Sequence, residues 1–185
     1  MSLEEAMRRR RSTRHYADAP ITQAELARLL WAASGFTSPG GLRTAPSAGA
    51  VFPLHGYLIA MNIEGIAPGC YGWDPETRRL TQSRAGDPRA ELRLAAQGQD
   101  CVEHCACAFL LAAWYGSLKR EFGTLAPRLA DLEAGHVAQN WLLQATALGL
   151  GAIGLARIDE AGLRALIPLP KGELPLYLLL AGRLD

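Results

Sequence analysis

Arg10, Ser12 and Arg14 stand two residues apart near the start of the chain. In an extended segment, side chains at that spacing point the same way, so the three converge on one side. Two guanidiniums and a hydroxyl suit a phosphate monoester, because the forked donors of arginine match phosphate oxygens. Arg11 lies between them, and Arg8 and Arg9 precede them. Spacing alone equally admits a solvated basic patch or a crude nucleic-acid arm. The formal net charge of the whole chain is only +1. No global field therefore draws it to nucleic acid or membrane, and the cluster reads as a place for one anionic group.

Three further segments carry chemical potential. Thr44-Ala45-Pro46-Ser47-Ala48-Gly49-Ala50 is built of small residues, which let a flat ring approach the backbone and leave amides free to bond its edge. An ordinary surface loop has the same composition. Gly149-Leu150-Gly151-Ala152-Ile153-Gly154 follows a predicted helix. The dinucleotide-binding glycine fingerprint instead follows a strand and opens a helix, so this run reads as a helix stop entering a strand. Its small residues could also bring N–H groups close to a cofactor. Cys101, His104, Cys105 and Cys107 cluster, but no second ligand pair follows at zinc-site spacing, so no metal is expected.

The elements that must position these residues follow from periodicity and punctuation. A short helix is expected over 3–11, then an extended stretch from Ser12 to Tyr16. Thr22 and Glu25 form a capping box for a helix over 23–34, with Leu26, Leu29, Leu30 and Ala33 as its apolar stripe. Residues 35–50 read as a long functional loop. Strands are expected at 56–62, 70–74, 80–83, 106–115, 152–156 and 174–181, and helices at 88–96 and 160–166. The longest helix, 128–148, is apolar on several sides, including Trp141, and keeps a polar stripe of Glu133, His136, Asn140 and Gln144. Such a helix is buried in a core or between subunits, and if it is the subunit seam a charge at Trp141 is expected to impair dimerisation. With 49% apolar residues in 185, the chain fits one α+β domain, residues 1–185. The sequence shows no signal-peptide pattern, no run of about eighteen apolar residues, and no disulfide framework. A cytoplasmic protein is expected.

The ordered set of motifs resembles the nitroreductase superfamily, most closely its SagB-type dehydrogenase branch. Arg10 to Tyr16 resembles the family's N-terminal phosphate element. Arg43-Thr44-Ala45-Pro46-Ser47-Ala48-Gly49-Ala50-Val51-Phe52-Pro53 resembles the branch's Pro-Ser-Ala-Gly-Ala-Leu-Tyr-Pro loop. Pro68 to Tyr71, Asp74-Pro75, Leu132 to Asn140, Leu148 to Gly151 and Pro175 to Arg183 resemble its later elements. The resemblance implies a mostly antiparallel sheet flanked by helices, with a long central helix at a homodimer interface and FMN held by both subunits. It implies that Arg10, Arg11, Ser12 and Arg14 hold the FMN phosphate, with Arg183 as a further partner. Pro46, Ser47, Ala48 and Gly49 would line the isoalloxazine from the other subunit, and Ile153 and Gly154 would lie near N5.

This implies an FMN-dependent oxidoreductase that moves electrons from NADH or NADPH to a small acceptor, such as a nitroaromatic or quinone, with no catalytic side chain named. Azoline-oxidising members carry a Lys-Tyr pair before the central helix. Here the stretch reads Lys119-Arg120-Glu121-Phe122-Gly123, which argues against peptide heterocycle formation. The alternatives are an azoline dehydrogenase of the SagB type and a flavin-binding sensor or carrier without turnover.

Overall fold

The computed structural model describes residues 1–185. Its core is a six-stranded sheet made of β1 (Leu54–Ala60), β2 (Gly69–Asp74), β3 (Arg79–Ala85), β4 (Cys107–Trp114), β5 (Leu150–Leu155) and β6 (Glu173–Arg183). The strand order is β3-β2-β1-β4-β6-β5, and every neighbouring pair is antiparallel. The central strand β4 is apolar throughout because both of its faces are covered. Cys107, Phe109, Leu111 and Ala113 face one hydrophobic layer, and Ala108 and Leu110 face the other.

The first layer lies under α2 (Gln23–Ser34) and α5 (Ala126–Ala147), and the second under α3 (Arg89–Ala95) and α6 (Glu160–Leu166). The helix α2 has the expected bounds. The Thr22 hydroxyl accepts from the Glu25 amide at 3.2 Å, and the Glu25 carboxylate accepts from the Thr22 amide at 2.8 Å. Together these satisfy two amides that a bare helix start would leave orphaned. At α6, Asp159 accepts from the amides of Ala161 and Gly162. Short α1 (Leu3–Arg9) opens on Ser2, which accepts from the Glu5 amide.

Two expectations change. First, Trp141 is fully buried within the chain rather than on a subunit seam. Its indole stacks on Phe109 with centroids 5.3 Å apart, and its N–H donates to the Leu180 carbonyl. On the opposite face of α5, Leu132, Gly135, His136 and Gln139 are exposed. Second, the sequence signals no element between β4 and the long helix, yet Tyr115–Phe122 forms α4, anchored by buried Leu118. The four cysteines are buried free thiols, and burial pushes Cys70 up to about 11 and Cys107 up to about 12. No helix is long and apolar enough to cross a membrane.

Candidate functional site

The basic segment is placed by two glycines on neighbouring strands. After α1 ends, residues 10–17 cross the β5–β6 end of the sheet. Ser12 bridges Ala152 in parallel, and Ala17 bridges Arg183 antiparallel. The Thr13 amide donates to the Ala152 carbonyl at 3.0 Å, and the Ala17 amide to the Arg183 carbonyl at 3.1 Å. This close approach needs Gly151 and Gly182. A Cβ on Gly151 would lie 2.7 Å from Thr13 Cγ2, and one on Gly182 would lie 2.9 Å from Tyr16 Cδ1. Tyr16 is buried behind the segment, its hydroxyl donating to the Thr13 carbonyl.

Folding then sorts the arginines. Arg8 pairs with Glu4 at 2.6 Å and Arg9 with Glu5 at 2.5 Å, both one turn back on α1. Arg11 turns onto its own backbone, donating to the carbonyls of Arg8 and Arg10 at 2.8 Å each. Arg183 forks onto Glu25, with both N–O distances 2.8 Å, and its Nε donates to the Pro20 carbonyl. Arg11 and Arg183, both expected on the phosphate, are thus engaged inside the chain. Burial alone would raise the Glu25 carboxyl, but bonds from Thr22 and Arg183 outweigh it and hold the group below its ordinary value. The side chains of Arg10, Ser12 and Arg14 make no hydrogen bond or ion pair within the chain, so the trio keeps its donors free. That is the donor set a phosphate monoester requires.

Gly154 and Ile153 lie farther along β5. Ile153 is buried in the layer under α3 and α6. Alternation turns Gly154 to the other face, beneath Tyr177, whose hydroxyl would stand 2.5 Å from a Cβ there. A shallow concavity of about 230 Å³ adjoins it, with Tyr177, Leu176 and Ala156 on the sheet side and Asp131, Ala134 and Gly135 on α5. The Tyr177 side chain covers Gly154, and the open space lies beside it, against the small residues Ala134 and Gly135 of α5.

The loop of Pro46, Ser47, Ala48 and Gly49 is ordered from below. Asn140 on α5 donates to the Thr44 carbonyl at 3.0 Å, and the Phe52 amide donates to the Ser47 hydroxyl at 2.9 Å. Gly49, Ala50 and Phe52 have φ of 59°, 55° and 49°. Two non-glycine residues in that region mark a backbone held by its surroundings. Pro46 and Gly49 are exposed, and none of the larger concavities is lined by both this loop and the Arg10–Arg14 segment.

Two residues beneath the loop were missed by the sequence reading. The Arg43 guanidinium lies over the rings of Phe36 and Phe52, 5.1 Å and 4.7 Å from their centroids, and its Nε is buried without a partner. Glu133, 5% exposed, reaches from α5. Burial pushes its carboxyl above the ordinary range, although the Ser47 hydroxyl and Arg43 pull it back. Glu133 reads in the sequence as one member of a polar stripe, and only its inward turn reveals this place.

Comparisons with known proteins bear on the family and the fold. Residues 7–183 match the family described as the Nitroreductase family. A nitroreductase-type protein of Methanocaldococcus jannaschii is 35% identical over 183 residues, covering 99% of this chain and 91% of that one. A nitroreductase-type structure from Ralstonia eutropha superposes with a TM-score of 0.87 at 29% identity, covering 100% of this chain and 84% of that one. One from Anabaena variabilis superposes with a TM-score of 0.88 at 26% identity. This chain is covered to 99% there but spans only 38% of the Anabaena chain. The six-stranded antiparallel sheet, the helices flanking it and the near-complete match place this chain in the nitroreductase family.

Proposed function

We propose that this member of an oxidoreductase family is an FMN-dependent enzyme of the SagB-type branch, acting as a cytoplasmic homodimer. It takes electrons from NADH or NADPH and delivers them to a small acceptor such as a nitroaromatic or quinone. The observation that carries the reading is the free trio of Arg10, Ser12 and Arg14 at the sheet end, after the neighbouring arginines have found partners. Bound flavin would supply the electron transfer itself, while the protein supplies position, electrostatics and access.

The residues divide that work. Arg10 and Arg14 neutralise the phosphate dianion, and Ser12 donates from the strand between them. The ring would lie near Gly154 on β5, where backbone N–H groups would steady charge that builds on it once the Tyr177 side chain, which packs over that glycine, gives way. Pro46 to Gly49 cap the ring from a second copy of the chain. The exposure of Pro46 and Gly49 supports a site completed across two subunits. Exposed Leu132 and Leu125, with Leu3 and Met7 on α1, supply apolar surface for that contact.

The test is the visible spectrum of the purified protein. Flavin absorbance at about one FMN per chain, bleached anaerobically by NADH or NADPH and restored by a quinone, is the expected outcome. Colourless protein that takes up no FMN on reconstitution refutes the cofactor. Flavin that neither nicotinamide reduces refutes the reductase and leaves a flavin carrier.

A further inference from the structure

We propose a second binding site, for a small aromatic carboxylate, in the slot between α2 and the β2–β3 hairpin. The slot holds about 400 Å³, within the range of small-molecule pockets. It shares no residue with the Arg10–Arg14 trio, Gly154 or the loop 46–49, and does not depend on the reading of those residues as a flavin site.

Its walls are two fixed indoles. Trp31 packs against Gly35 at the end of α2, where a Cβ would stand 2.2 Å from its Cδ1. Only glycine permits that packing. Trp73 on β2 is pinned by its N–H, which donates to the Ser34 hydroxyl at 3.0 Å. Leu26 and Leu80 add apolar lining between them. The Trp31 ring is 44% exposed, so it presents area to a ligand instead of filling the core.

Arg28 and Arg78 line the same slot, one from each side. Neither makes an ion pair or a side-chain hydrogen bond within the chain. Glu25, the sole acid on α2, is already held by Arg183. Asp74, at the base of the hairpin turn, accepts from the Thr77 hydroxyl at 2.6 Å and from the amides of Glu76 and Thr77. Two cations therefore line one apolar slot whose lining contains no acid. A planar ring between the indoles, bearing a carboxylate that the guanidiniums grip, satisfies both the aromatic surface and the charge.

Isothermal titration calorimetry of the protein as purified, with 1-naphthoate as the probe, tests this. One saturable site per chain is expected, leaving the flavin spectrum unchanged. Arg28→Ala and Arg78→Ala, both exposed positions, should each weaken it about tenfold by removing charge-assisted bonds. 1-Naphthylmethylamine, with the same ring and the opposite charge, should not bind. Absence of saturable heat at millimolar probe overturns the proposal. So does equal binding of the amine, or affinity unchanged in both arginine variants. Binding that shifts the flavin spectrum and survives both substitutions places the probe on the flavin and also overturns it. Calorimetry on colourless protein still reads the slot, so loss of the flavin reading and loss of this one are separable.

Discussion

Replacing the arginines around the N-terminal segment one at a time separates a phosphate site from a merely basic surface. Arg10→Ala and Arg14→Ala each remove a guanidinium that no group in the chain engages. A charge-assisted hydrogen bond of this kind contributes roughly 1.5–3 kcal/mol, so each substitution should raise the Kd for FMN by about ten- to 150-fold. Arg11→Ala removes a guanidinium already spent on the carbonyls of Arg8 and Arg10 and should change the Kd less than about threefold. Arg183→Ala should lower the melting temperature by releasing the N-terminus of α2, while affecting FMN far less than the first pair. The assay is titration of apoprotein with FMN, followed by quenching of flavin fluorescence at fixed salt. Four equal effects would show that only general positive charge matters. Unchanged affinity in both Arg10→Ala and Arg14→Ala would show that the phosphate is held elsewhere.

The remaining predictions concern the frame around this site. Glu25→Gln should lower stability by about 1–2 kcal/mol through the capping box and the Arg183 fork. Because the native Glu25 carboxyl is depressed, its contribution is complete above the unfolded value of about 4.3 and is lost as pH falls toward the native value. Urea melts should therefore show a shallower acid loss in Glu25→Gln than in wild type, and parallel curves would contradict the linkage. Trp141→Ala should cost about 3–5 kcal/mol in urea unfolding, because it empties a fully buried site beside Phe109. Leu132→Glu, on the exposed face of α5, should leave the chain folded but weaken self-association, read by light scattering. A fully dimeric Leu132→Glu protein would move the interface elsewhere. Gly182→Val should displace Tyr16 and the segment above it and lose flavin while circular dichroism retains the sheet. Full flavin occupancy in that variant would show that the segment's seat on β6 is unimportant.

How much of this was legible in the sequence depended on whether a signal was local. The helix α2 was readable to the residue because Thr22 and Glu25 cap it chemically and Gly35 stops it. The buried strand β4 was readable as an unbroken apolar run. The helix α4 was not. Its start on Trp114 has no side-chain cap, and Tyr, Gly, Ser and Phe form helix poorly, so packing of Leu118, Tyr115 and Phe122 against the core holds it. Trp141 was misplaced for a related reason. A helix apolar nearly all round does not announce which face meets the sheet, and the stacking partner Phe109 lies on a distant strand.

The candidate site divides in the same way. Alternation in an extended segment suggests that Arg10, Ser12 and Arg14 share a side, but no spacing rule assigns partners to the other arginines. Glu25 claims Arg183 only because the end of β6 meets the start of α2, a contact that joins residues 158 positions apart. Arg11 differs from Arg10 by one position, yet it is the one that folds back on the turn. The proposed phosphate site is thus defined by subtraction. Among the N-terminal arginines, Arg8, Arg9 and Arg11 find partners within the chain, and Arg10 and Arg14 are left flanking Ser12 in sequence where Gly151 and Gly182 let the backbone lie down on the sheet. If the site were only a basic tail, nothing would require those two glycines, and filling either with a side chain would leave anion binding intact.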